Sequence, residues 1–186
     1  MRLASMDDVP SLLRLIDASV RGLSTGYYSE VQIEQALHLV FGPDTQLIAD
    51  GTYFVIDGED GQLVASGGWS KRRTLFGGDQ HKDARPDPLL DPVTEAARLR
   101  AMFVHPDAAR RGLGRRVFDA CRLAAEAAGF RSMELAATLP GVALYEALGF
   151  VQVESFATPL RDGLELPLVR MRRALEAVPD SPGVER

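Results

Sequence analysis

The residues of this chain best suited to chemistry cluster at Arg110-Arg111-Gly112-Leu113-Gly114-Arg115-Arg116. Two glycines let the backbone turn tightly there and approach a ligand with no Cβ in the way. Ahead of them, Leu99 to Val104 is a short apolar run ended by Pro106 and Asp107, as a buried strand would be. Behind them, Leu113, Val117, Cys121 and Ala125 recur at helical spacing, with Phe118 beside them. A strand, a glycine loop and a helix start leave the first helical amides without partners inside the helix, with the positive end of the helix dipole behind them. That is a site for a phosphate group, and four arginines bracket it. The pattern is not a P-loop, because no Gly-Lys-Ser/Thr follows. Nor is it a dinucleotide fingerprint, because Val117 stands where a third glycine would be. On the residues alone the loop is balanced between a phosphate site and a βα turn with a solvated basic face.

Other reactive side chains say less by themselves. Cys121 lies on the apolar helix face and reads as core. His38, His81 and His105 show no metal-ligand spacing and make no nucleophilic triad with the cysteine. Tyr145 shares a helix face with Val142 and Leu148, which by itself is the signature of a packed aromatic.

Leu135 to Phe150 reads as a strand, a break and a short helix ending at glycine. Val104-His105-Pro106 with Arg110-Arg111-Gly112-Leu113-Gly114, followed by Leu144-Tyr145-Glu146-Ala147-Leu148-Gly149-Phe150, resembles the GNAT superfamily of N-acetyltransferases. The resemblance covers residues 53 to 157 well and the first fifty loosely. It implies an α/β fold with a mixed, mostly antiparallel central sheet and helices on both faces. It also implies acetyl-CoA as cosubstrate, no metal, and direct acetyl transfer to an amine. Carried over, the backbone of Ala109, Arg110, Arg111, Gly112, Leu113, Gly114 and Arg115 would hold the pyrophosphate of coenzyme A. The backbone of Met102, Phe103 and Val104 would pair with the pantetheine arm, where the central strand splays from the next. Tyr145 would be the general acid for the leaving thiolate. Two positions depart from the family pattern: Ala109 replaces its leading Gln/Arg, and Thr138 replaces the Asn that contacts pantetheine.

The general base stays open. The family uses an acidic residue on the central strand or a water chain, but this strand holds Arg98 and Arg100, with Glu95 just before it. Tyr27, Tyr28 and Glu30 are alternatives. Two function classes follow. One is an N-acetyltransferase for a small-molecule amine, with a peptide acceptor left open. The other is a non-catalytic acyl-CoA-binding sensor on the same scaffold.

The elements that must position these groups can be read in order. Arg2 to Ser5 is a strand, and Ser5 or Asp7 caps a helix whose apolar face is Val9, Leu12, Leu13, Ile16 and Val20. Gly22 to Tyr28 reads as a loop. Ser29-Glu30-Val31-Gln32 opens a second helix as a capping box, running to Phe41. Thr45 to Ala49 is a short turn or helix. Residues 53–56 and 63–69 form a hairpin, with Gly67-Gly68 marking a bulge or a close approach. Residues 71–94 are a long inserted loop, either a mobile surface loop or a lid or wall of the acceptor site; Leu75-Phe76 and Leu89-Leu90, which give it something to bury, favour the second. Residues 98–104, 133–137, 151–156 and 164–171 complete the strands. Gly129-Phe130 and Gly149-Phe150 read as helix C-caps, and 176–186 as a frayed tail.

The whole chain of 186 residues suits a single domain over 1–175. A net charge of −5 argues against nucleic acid, so the arginines of the loop are a local patch for a discrete anion. No apolar run is long enough to span a membrane. The lone cysteine and the absence of a signal-like start suggest the cytoplasm. A homodimer is left open.

Overall fold

The computed structural model describes residues 1–81 and 87–175; the expected tail at 176–186, and Lys82 within the insertion, lie outside the described residues. Seven strands form one sheet: β1 (Arg2–Leu3), β2 (Tyr53–Asp57), β3 (Leu63–Ser70), β4 (Ala97–Val104), β5 (Ser132–Thr138), β6 (Val151–Pro159) and β7 (Glu165–Ala174). Their order is β1-β2-β3-β4-β5-β7-β6. Every pair is antiparallel except β4–β5. The parallel pair is joined by α4 (Leu113–Ala127), as a parallel crossover requires.

Helices cover both faces. On one side α1 (Val9–Ser24), α2 (Glu30–Leu39) and α3 (Thr45–Ala49) bury Leu12, Ile16, Val20, Ala36 and Leu47 with Tyr53 and Leu166. On the other, α4 and α5 (Val142–Ala147) bury Val117, Phe118, Cys121 and Ala125 with Leu135, Leu148 and Phe150. Among the expected apolar positions of α1, Leu13 is 53% exposed, and Leu15 takes the buried place instead.

Local chemistry accounts for the ends of the elements. Ser29 and Gln32 exchange side-chain bonds to each other's amides at 2.9 and 3.2 Å, which starts α2. Gly129 and Gly149 take left-handed φ of 90° and 83°, and Phe130 and Phe150 fold back into the core. Ser5 and Asp8 close a short 3-10 turn ahead of α1. Gly22, expected to break α1, lies inside it. A Cβ there would come within 2.3 Å of the Pro106 ring, so the glycine serves packing rather than a turn.

The insertion after β3 is tied down at several points. The Leu90 amide donates to the Lys71 carbonyl, and the Gly78 and Asp79 amides donate to Val40 and Pro43. Arg72 forms a bidentate pair with Asp50 at 2.8 and 2.9 Å. Phe76 packs against Phe156, with ring centroids 5.7 Å apart.

Candidate active site

The parallel ladder between β4 and β5 holds only at Ala97–Met133 and Arg98–Glu134. Beyond those rungs the strands part and a cavity of about 210 Å³ opens between them. Met102, Phe103 and Val104 line it from β4, and Thr138 with Ala136 from β5. Gly114, Leu144 and Tyr145 line it from α4 and α5. Sequence reasoning treated Met102, Phe103 and Val104 alike, but an antiparallel ladder alternates. Phe103 is in register with Ser66 of β3 and the His105 amide donates to Val64, so Met102 and Val104 turn their backbone groups toward the gap. The Val104 amide already donates to the Ser19 hydroxyl at 3.3 Å. Ser19 was missed in the sequence, although a serine within the stripe of Leu12, Ile16 and Val20 was the signal for it.

The gap is shaped by a β-bulge. Ser66 pairs with Phe103, but Gly68 pairs with Arg100, so β4 carries one extra residue opposite Gly67. Ala101 takes a left-handed φ of 53° there, a conformation that costs a non-glycine residue about 1–2 kcal/mol. Ser66 donates its hydroxyl to the Ala101 carbonyl at 3.2 Å, which holds the bulge. The sequence placed the irregularity at Gly67-Gly68. The reason for glycine at 67 is close approach, since a Cβ would lie 2.2 Å from the Met102 sulfur.

The glycine loop divides its labour. Gly112 is the N-cap of α4 with φ 79°, and Arg110 is also left-handed at 63°. The helix begins at Leu113, so Gly114 lies inside its first turn rather than before it. At Gly114 a Cβ would meet Leu144 at 3.1 Å, whereas at Gly112 it would meet nothing within 4 Å. The turn needs the first glycine for its φ and the second for packing on α5. The amides of Leu113, Gly114 and Arg115 belong to the first turn and lack helical partners. Arg110, Arg111 and Arg116 are exposed beside them, while Arg115 reaches back to the Ala147 carbonyl at 3.2 Å. Ala109 ends the preceding 3-10 turn, its amide donating to Pro106.

Tyr145 is 8% exposed and packs edge-on to Phe150 at 5.9 Å. Its hydroxyl bonds to no described residue, while the residue itself lines the cavity. Burial pushes the phenol well above its ordinary value, with a smaller contribution from Cys121. Cys121 is itself fully buried with its thiol pushed up by burial, in keeping with core.

None of the candidate bases reaches the cavity lining. Glu95 accepts the Asp91 amide at 2.8 Å and lies 3.5 Å from Arg73. Tyr27 is 56% exposed, and Glu30 is exposed on α2. Tyr28 is buried, donating to the Pro167 carbonyl at 2.7 Å and accepting the Leu139 amide at 2.9 Å, so it braces the sheet. Arg98 belongs to a network with Glu134 and Arg170. Arg100 lines the cavity, with its side chain 2% exposed, 2.8 Å from Asp44 and donating to the Gly77 carbonyl at 2.6 Å. Of the insertion, Leu75, Phe76, Gly77 and Gly78 form one wall of the cavity. Among the described residues no group of three or more His, Cys, Asp or Glu side chains could hold a metal. Among them, too, no helix is long and apolar enough to cross a membrane.

Residues 49–152 match the acetyltransferase (GNAT) domain family. No curated protein matches the chain in sequence. Among solved structures it is similar to a GCN5-related N-acetyltransferase from Rhodopseudomonas palustris, at 19% identity and a TM-score of 0.63 over 94% of this chain and 99% of that one. It is also similar to the phosphinothricin acetyltransferase of Sinorhizobium meliloti in complex with AcCoA, at 21% identity and a TM-score of 0.60 over 98% of this chain and 92% of that one. The PaiA N-acetyltransferase of Thermoplasma acidophilum, in complex with coenzyme A, is 13% identical with a TM-score of 0.60, covering 93% and 96%. These likenesses are of fold; the family match spans more than half of the sequence, and the chain belongs to the GNAT acetyltransferase family.

Proposed function

We propose that this protein is an acetyl-CoA-dependent N-acetyltransferase that moves the acetyl group directly to the primary amine of a small-molecule acceptor. The observation that carries this is a single cavity linking the gap beside β4, the Tyr145 side chain and the first turn of α4. Acetyl-CoA supplies an activated acyl group on a thiol that can leave. The residues around it suit that cargo. The free amides and left-handed turn at Gly112 to Arg115, with Arg110 and Arg111 beside them, suit a pyrophosphate. The Met102 backbone groups and the Val104 carbonyl, which face the gap, suit the amides of a pantetheine arm, with Thr138 across it.

In this reading the amine attacks the thioester carbonyl and the C–S bond breaks. Tyr145 gives its proton to, or hydrogen-bonds, the departing sulfur as general acid. The amine loses its proton to water, since no carboxylate or imidazole lines the cavity among the described residues. That same observation favours the second reading, an acyl-CoA sensor without catalysis. Thiol release from acetyl-CoA across a panel of amines separates the two. The enzyme releases thiol in proportion to amine, whereas the sensor binds acetyl-CoA and releases none above the hydrolysis background.

A further inference from the structure

The end of the cavity away from Tyr145 has a definite chemistry. Its walls include Val20 and Leu23 of α1, Phe41 after α2, Phe76 of the insertion, Phe103 and Leu168. Phe41 and Phe103 meet edge-on at 6.2 Å, and the Phe76 ring lies on Phe156. One charged side chain among the described residues lines the cavity, Arg100. Its terminal nitrogen lies 2.8 Å from Asp44 and donates to the Gly77 carbonyl, its Nε has no partner among the described residues, and the Asp44 side chain, 1% exposed, is buried beside it.

Resting on the reading of this chain as an acetyltransferase, we propose that the acceptor end of the cavity takes a monoamine carried on an uncharged apolar or aromatic body. A polyamine would bring a second ammonium into these walls with no carboxylate lining the cavity to meet it. An amino acid would bring a carboxylate beside a cation whose charge Asp44 already balances at 2.8 Å, with only the Arg100 Nε left to donate. A buried charge without a partner is disfavoured far more strongly than an apolar body is favoured.

The test is calorimetric titration of the coenzyme A-loaded protein with 2-phenylethylamine, spermidine and lysine, with steady-state acetyl transfer measured beside it. Phenylethylamine should bind more tightly than either charged competitor by about tenfold or more. Leu23, which lines the cavity and is 36% exposed, offers a variant that should fold. Leu23→Glu should reduce the preference for phenylethylamine over spermidine by about tenfold, because it supplies the missing carboxylate. Spermidine or lysine binding as tightly as phenylethylamine overturns the proposal, and so does an absence of phenylethylamine binding. A preference unmoved by Leu23→Glu also counts against it. If the binding order holds but no amine releases thiol, the proposal about the cavity stands and the enzymatic reading falls.

Discussion

Tyr145→Phe removes one oxygen from the cavity wall, and the structure sets what that should do. The hydroxyl bonds to no described residue, so its loss strands no partner. The ring keeps its edge contact with Phe150 at 5.9 Å. Stability should therefore change by about 0.5 kcal/mol or less, a melting shift of roughly 1–2 °C for a chain of this size. The kinetic effect should be much larger. A free thiol near about 8.5 and a phenol near about 10 differ by roughly 1.5 units, or about 2 kcal/mol uphill for full proton transfer. Burial pushes Tyr145 above its ordinary value. A thiolate expelled into the same enclosed cavity is disfavoured by the same desolvation, so the gap between donor and acceptor does not widen by the whole of the phenol's shift. Losing a positioned acid should then lower kcat by roughly 10² to 10⁴ while acetyl-CoA affinity holds. The raised pKa also fixes a sign: the phenol must be protonated to act, so the parent's rate should show no tyrosine-dependent fall up to at least about pH 10. Steady-state transfer across pH, calorimetry and a thermal melt are the assays. A kcat within twofold of the parent in a folded mutant refutes the reasoning.

At Gly112 a Cβ would meet nothing, so Gly112→Asp acts through the left-handed φ and through charge. Acetyl-CoA affinity should fall by about tenfold or more, while Gly112→Asn, which meets the same φ with the same shape but carries no charge, should lose far less; equal affinities in the two variants would remove the phosphate argument. Asp44→Ala leaves Arg100 charged and buried and uncaps α3, whose Leu47 amide Asp44 accepts at 3.3 Å. Urea unfolding should show a loss of about 3–5 kcal/mol, and a loss under 1 kcal/mol would mean that Arg100 finds compensation elsewhere. Arg2 holds the Asp8 carboxyl down to about 2 through a hydrogen bond at 2.8 Å. A carboxylate lowered in the folded state contributes stability above its ordinary value of 3.8, and that contribution goes as pH falls toward 2. Melting temperature against pH should therefore drop less steeply over that window in Asp8→Asn than in the parent, and parallel curves would count against the pairing.

Much of this molecule could be read before its fold. The β4–loop–α4 unit, the two Gly-Phe caps and the Ser29–Gln32 box are local devices, encoded within a few residues of where they act. Position in space was another matter. Gly22 looks like a helix breaker until Pro106, 84 positions along the chain, is seen to pack on it. Arg100 and Asp44 are separated by 56 positions, and nothing local to either announces a buried pair. Tyr28 looked available for chemistry and proves to be a brace, because its partners Leu139 and Pro167 come from the other half of the chain. The insertion's length and its apolar pairs Leu75-Phe76 and Leu89-Leu90 were legible as something to bury, but where Leu75 to Gly78 land follows from Phe156 and Val40, which receive them.

The parting of β4 from β5 has a consequence for association with other chains. Strand margins with unpaired amides and carbonyls invite pairing with a neighbouring molecule, and natural sheets shield them. This fold keeps two such margins in the middle of its sheet, facing each other below Arg98 and Glu134. Covered by α1 on one face and α4 on the other, they are out of reach of another chain's backbone. The outer margins are guarded differently. β1 is only two residues long and begins with Arg2, and β6 carries Glu154 and ends at Pro159. The molecule can hold an incomplete ladder at its centre without displaying it as a template for aggregation.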